Sequence, residues 1–356
     1  MIVALPSPRE EAWRWSDLSA LPALIATTPR QEPYEVTPYW IGRGPRLTFL
    51  NGAYLPLLSM PGSVTVGPMT IESDHALGRL VGRIGWTHEV AAGANAGETI
   101  EILNVATGGG NHLPARIVLA GGAQASIVET LVGDGWSNRL TEIVLGEGAS
   151  LQRNVRMMQI GGFTSLREVA TLARNSRLVS TFLGVGAADT RIDAAVTLAG
   201  DDAFADIGGV LLARGHQRQE AAMVVRHVGV RSVSRQTWRA VAEDHAIASL
   251  AARVEIAKNA QQTDAAQSLR GLLMARTAAI NLKPELEIFA DDVKAAHGAT
   301  VGALDPDALF YLVSRGISET QARGLLTQSF AAAGLERIKH PILKERFGQA
   351  TSAWLE

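Results

Sequence analysis

A mainly β fold, a parallel β-helix flanked by small helical segments, is what this sequence predicts, and three observations carry it. Short apolar runs end at Gly, Asn or Asp near residues 93, 121, 148, 175, 202, 231 and 259, a period of about 27. Aromatic residues make up 5% of the chain against 47% hydrophobic, so the core must be built from Ala, Val, Leu and Ile, which suits a narrow stack. After Gly302 the spacing of apolar residues becomes helical.

At 356 residues the chain is long enough for two or three structural units with a substantial core. Residues 1–60 read as an N-terminal helical cap. The acidic pair Glu10 and Glu11 precedes Trp13, Trp15 and Leu18 as an acidic first turn precedes a short amphipathic helix, and six prolines before residue 40 break the segment into short pieces. Asn51-Gly52 is a turn dipeptide, after which helical signals give way to strands.

Residues 61–302 read as the β-helix core. Leu151, Val155 and Met157 alternate with Gln152, Asn154 and Arg156, apolar residues inward and polar residues outward. The L-x-x-L-x-L-x-x-N ladder of a leucine-rich repeat is absent, and the small residues Ala123, Ala149, Ala170, Ala203 and Ala265 fit tight corners. Residues 303–356 read as a C-terminal helical domain. Asp305 is the N-cap and Pro306 the first residue of a helix over 306–315 that stops at Gly316. Ser318 and Gln321 form the capping box of a second helix over 318–333, and Pro341 opens a third.

Composition excludes several functions. Lys plus Arg, 33, nearly balances Asp plus Glu, 35, so no field draws the chain to nucleic acid or an anionic membrane. With no cysteine there is no disulfide, no thiol nucleophile and no thiolate-held metal on this chain alone. The start of the chain has neither a basic region nor a long apolar run, which points to the cytoplasm.

Catalytic motifs are scarce. The chain contains no Gly-Lys dipeptide, so it has no P-loop and is not itself a P-loop ATPase. The glycine clusters at 108–110, 133–135 and 184–186 lack the third glycine and the following helix of a dinucleotide site and read as solenoid turns. His88-Glu89 lacks the second histidine of a zinc protease, and Asp291-Asp292 reads as a solvated corner. Seven of the eight histidines read as structural or surface groups. His297 differs, because its small neighbours leave the imidazole accessible just ahead of the helical domain, where a ligand role and a structural role both stand open.

The segment Lys283-Pro284-Glu285-Leu286-Glu287-Ile288, followed by Ala290-Asp291-Asp292-Val293-Lys294, His297-Gly298-Ala299-Thr300-Val301-Gly302, Leu309-Phe310-Tyr311-Leu312 and Ser314-Arg315-Gly316-Ile317, resembles the signature of the SufB/SufD family. These are paralogous scaffold subunits of the Suf iron–sulfur cluster assembly machine. Glu11 to Leu18, Asn51-Gly52 and Thr263-Asp264-Ala265 with Gln267 extend the resemblance over nearly the whole chain, and the lack of a glutamate after His297-Gly298-Ala299-Thr300 favours the SufD branch. The chain departs at Ala295, where SufD relatives often carry Cys.

The resemblance implies a right-handed parallel β-helix and a non-catalytic scaffold with no catalytic residues of its own. It implies pairing with a SufB-like paralogue, or a homodimer when alone. The C-terminal helices would recruit the SufC ABC-type ATPase, with Leu309, Phe310, Leu312, Leu325, Leu326 and Phe330 as candidate docking residues. His297 would be a metal ligand in a transient iron–sulfur cluster shared with the paralogue, with no cofactor on the isolated chain. Two other readings compete: a β-helix carbohydrate-active enzyme of the lyase type, and a purely structural assembly module.

Overall fold

The computed structural model describes residues 5–30, 34–95, 97–186 and 188–355. Helix α1 (Leu21–Ala26) is followed by an antiparallel pair, β1 (Arg46–Leu50) and β2 (Ala53–Tyr54), and by a second pair, β3 (Val64–Pro68) and β4 (Ile84–Val90). Asn51 and Gly52 turn β1 into β2 with φ of 50° and 81°, as their dipeptide predicts. Next come two long bent strands, β5 (Ile100–Leu119) and β6 (Gln124–Leu145). The coils continue through β7 (Ser150–Met157), β8 (Gly161–Leu172), β9 (Arg177–Gly184), β10 (Asp189–Leu198), β11 (Phe204–Ala213) and β12 (Arg218–His227). They end with β13 (Val233–Ala242), β14 (Ile247–Ile256), β15 (Thr263–Leu273), β16 (Ala279–Ile288) and β17 (Val293–Gly302).

From β5 onward every pairing is parallel, and the strands form two ladders that enclose one core in about seven turns. One ladder runs β7, β9, β11, β13, β15, β17, and the other β8, β10, β12, β14, β16. The fold is the parallel β-solenoid that the sequence period predicts. Register partners lie 26 residues apart at Phe163 and Asp189 but 32 apart at Ile247 and Ala279, because the later corners carry more residues.

The punctuation residues are corners with a specific task. Gly93, Gly122, Gly148, Asn175, Asp202, Arg231 and Gln262 all take left-handed φ between 54° and 71°. That conformation turns each N–H along the solenoid axis, where it donates to a carbonyl of the next coil: Gly148 to Arg174, Asn175 to Asp201, Asp202 to Val230 and Arg231 to Gln261. Ala123, Ala149 and Ala203 follow three of these residues and are buried at the corner, whereas Ala170 and Ala265 are buried inside β8 and β15. The glycines at 108–109 and 133–135 sit at the bend of β5 and β6. At Gly133, φ is 89° and a Cβ would meet the Ala106 carbonyl at 1.9 Å.

Asn154 and Arg156 depart from the expected alternation: both face away from the core yet are buried, and at Arg156 the terminal segments lie over that face. Arg156 donates to the Tyr39 carbonyl at 2.7 Å and lies over the Phe347 ring. The helices α2 (Pro306–Ser314), α3 (Glu319–Ala332) and α4 (Pro341–Leu355) follow the solenoid. Asp305 caps α2 by accepting from the Asp307 and Ala308 amides, and Ser318 caps α3 by accepting from the Gln321 amide. Ala331, Leu335, Ile338, Leu343, Phe347 and Trp354 pack on outward residues of the first ladder, among them Leu183, Val210, Leu212, Val241 and Leu272. No helix among the described residues is long and apolar enough to cross a membrane.

The amphipathic helix expected near Trp13 is reduced to a single 3-10 turn, Glu11–Trp13. An α-helix would spend the Ala12 carbonyl on the Ser16 amide. Here Arg191 Nη2 donates to that carbonyl at 2.8 Å, and the Ser16 amide donates to the Trp13 carbonyl instead. Arg191 stacks on the Trp13 ring at 3.9 Å, donates to Ser16 Oγ and Glu220, and forms a two-point pair with Asp193, which also meets His75 at 2.9 Å. This buried hub pins the N-terminal segment to the second ladder.

Two consequences can be measured by urea unfolding. Gly133→Ala combines left-handed strain with the clash on Ala106 and is expected to cost about 3 kcal/mol or more, whereas Gly93→Ala, with open space around it, should cost about 1–2 kcal/mol. Equal costs would show that coil spacing is not the constraint. At the hub, burial acts to raise the Asp193 carboxyl, but Arg191 and His75 overcome it and hold the group well below the usual carboxylate range. Stability from a lowered carboxyl is full above about pH 4 and is lost as pH falls through and below that value. Asp193→Asn should therefore cost about 3–5 kcal/mol at pH 7 and flatten the acid limb of the stability profile. An unchanged acid limb would remove Asp193 from that role.

Candidate functional site

His297 lies in the middle of β17, the last strand of the solenoid. In parallel register it stands beside Gln267 of β15, which stands beside Gln236 of β13. Both glutamines are buried, and each donates its amide nitrogen to a backbone carbonyl across the core, Gln236 to Arg253 and Gln267 to Glu285. Each leaves its Oε1 buried without a partner. The same row reaches the surface at β17 because no coil follows it. His297 is exposed, and flanking Ala296, Gly298 and Ala299 add no bulk around it.

Among the described residues β16 and β17 are each paired on one side only, to β14 and β15 respectively. The end of the solenoid therefore presents free backbone edges. It also presents apolar side chains: Phe289 is 67% exposed with Ile288 exposed next to it, and Val301 is exposed near the other end of β17. Asp291 and Asp292 form the exposed corner between the two strands. The Asp292 carbonyl accepts from the Gln262 amide and its own amide donates to Gln261 Oε1, so the corner carboxylates have a structural setting.

The remaining histidines have other surroundings. His75 belongs to the N-terminal hub, His112 packs edge-on against Trp136, and His227 lies between the hydroxyls of Ser232 and Ser234 at 2.8 Å each. Burial lowers His112 and His227 to about 4, with Arg139 adding to the shift at His112 and Asp264 opposing it at His227, so both are neutral at physiological pH. Among the described residues no three His, Asp or Glu side chains assemble into a cation site. His297 thus offers one imidazole donor at an open face, which suffices for one arm of a site completed by another chain.

The candidate docking residues divide into two sets. Phe310 is 74% exposed and Leu325 is exposed, while Leu309, Leu312 and Leu326 are half-buried, on two helices that contact each other. Phe330 faces the other way. It packs against the core that joins α3 and α4 to the solenoid, with the Arg239 guanidinium over its ring, so it anchors the helix.

Sequence reasoning passed over the charged groups inside the solenoid. Arg153 is fully buried and donates to Glu129 at 2.7 Å and Glu168 at 2.6 Å. Burial raises the Glu168 carboxyl, opposed by Arg153. The signal was present: position 153 has the inward parity of Leu151 and Val155 but carries Arg.

Comparison with known proteins places this geometry. The family model described as "SUF system FeS cluster assembly, SufBD core domain" matches residues 103–330. A SufBD family protein of iron–sulfur cluster assembly from Synechocystis is 26% identical, over 98% of this chain and 87% of its own length. The iron–sulfur cluster assembly protein SufD of Escherichia coli is 24% identical over 96% of this chain and 87% of its own. SufD of Bacillus subtilis is 29% identical over 55% of this chain and 45% of its own.

An exposed imidazole and a buried ion network should respond differently to substitution. His297→Gln is expected to change the stability of the isolated chain by no more than about 0.5 kcal/mol, while Arg153→Met, which strands two carboxylates, should cost about 3–5 kcal/mol. A large loss in the His297 variant would mean that the imidazole is a packing group.

Proposed function

This chain belongs to the SufBD family and takes part in iron–sulfur cluster assembly as a SufD-like protein, and from that premise we propose that it is the non-ATPase scaffold subunit that pairs with a SufB-like paralogue and recruits a SufC ATPase. The observation that supports the pairing best is the open end of the solenoid. A second β-helix of the same build can lay its own terminal strand against the free edge of β16 or β17 and cover Ile288, Phe289 and Val301 at the same time.

In that pairing His297 meets the partner. The cluster is cargo, and His297 supplies one nitrogen lone pair to its iron while the paralogue supplies thiolates, which this cysteine-free chain lacks. A site with one arm on each subunit forms only in the complex and is opened by any movement between them, as suits a cluster that must be passed on. The chain has no Gly-Lys dipeptide for a P-loop, so ATP hydrolysis must come from a partner. The apolar face around Phe310 and Leu325 offers that partner a helical docking surface.

Co-expression with the paralogue and the ATPase separates these roles. Phe310→Asp with Leu325→Asp should release the ATPase at least tenfold more readily and leave the paralogue bound, because a charge in an apolar contact is poorly tolerated. His297→Ala should leave all three chains together and sharply lower the visible charge-transfer absorbance gained on anaerobic cluster reconstitution. Wild-type cluster yield in that variant would reduce His297 to an interface residue. Failure to co-purify with a paralogue would overturn the assignment.

A further inference from the structure

The N-terminal strap from Glu11 to Trp15 crosses the outer face of the second ladder and leaves a pocket of about 410 Å³ beneath it. Its floor is small and apolar, formed by Ala222, Val224 and Ala251. Its walls are charged, and the charges do not cancel. The four carboxylates that face it are all engaged: Glu11 and Glu285 by Lys283, and Asp193 and Glu220 by Arg191. Arg253 is matched by Glu255 and Glu287.

Two arginines remain. Arg14 lies over the Trp15 ring at 5.3 Å, and among the described residues neither it nor Arg167 makes an ion pair. Arg167 has Asp193 as its register neighbour, but Arg191 occupies both oxygens of that carboxylate and His75 shares one of them. The Arg167 side chain makes no hydrogen bond among the described residues, and its Nε is shut off from water. Burial lowers its pKa, opposed by Asp193 and by Asp74 from a neighbouring depression. A half-buried guanidinium without an anion is a cost to the fold that a bound anion would remove.

We propose that this pocket binds a small organic anion, its acidic group paired with Arg167 and its flat apolar body laid over Ala222 and Ala251 beside Trp15. The volume falls in the range of small-molecule sites, and a planar guanidinium holds a carboxylate, sulfonate or phosphate through two parallel hydrogen bonds. This site is on the opposite ladder from His297 and does not depend on the assembly role.

The test uses the full chain and two fluorescent probes of nearly equal shape, anilinonaphthalene sulfonate and the uncharged N-phenylnaphthylamine. The sulfonate should bind one per chain and at least about tenfold more tightly than the neutral probe. Arg167→Gln should weaken the sulfonate about tenfold and leave the neutral probe unchanged, and Arg167→Lys should recover part of the loss. Ala222→Leu, which alters no charge, should abolish binding of both by filling the floor. Equal affinity for the two probes, or sulfonate binding unchanged in Arg167→Gln, would overturn the proposal and leave Arg167 as a solvated surface group. Should Arg167→Gln fail to fold by circular dichroism, full sulfonate affinity in Ala222→Leu overturns it instead.

Discussion

Every coil of this molecule must offer its backbone hydrogen bonds to the next coil along a single axis, at the corners as well as in the strands. The strands meet that demand by pairing in parallel. The corners meet it by placing one residue per turn in the left-handed region, even where that residue is Asn175, Asp202, Arg231 or Gln262. Once the axis is fixed, the interior is fixed too: a narrow stack admits Ala, Val, Leu and Ile freely and large rings at few places, such as Trp86 and the stacked pair Phe182 and Trp238. The low aromatic content and the glycine bends follow from the same geometry.

A solenoid has two outer faces as well as an interior, and this chain treats them unequally. The C-terminal helices cover much of the first ladder with an apolar seam, while the N-terminal segment is held to the second by the polar hub around Arg191. A polar fastening needs no continuous contact, so the strap spans a hollow with Arg167 at its edge. The strap reaches as far as Lys283 of β16, while β17 is exposed over most of its length, which leaves His297 accessible.

Much of the architecture was legible in the sequence because it repeats or obeys a local rule. The period appeared in the corner residues, the Asn51-Gly52 turn in its dipeptide, and the two capped helices in Asp305, Pro306, Ser318 and Gln321. What was not legible depends on contacts far apart in the chain. Nothing near Trp13 shows that Arg191 will take the Ala12 carbonyl and stop a helix, and nothing near Arg156 shows that residues from both terminal segments will cover it. Phe330 has the helical spacing of a free docking stripe and is instead turned to the solenoid. His297 stood out for its small neighbours, but its exposure follows from something no local reading supplies: the absence of another coil beyond β17.

The single-sided pairing of β16 and β17 also gives the molecule a direction of decay. In a stack where each coil touches only its neighbours, the interior coils are clamped from both sides and the last from one. Opening therefore begins at that end and moves inward coil by coil, with amide exchange and proteolytic nicking graded along the axis. In the proposed pairing, a subunit seated on β17 would act as the missing repeat and close the route at its origin. On that proposal, a chain left without such a subunit would keep the route open, and its lifetime would report whether it has been assembled.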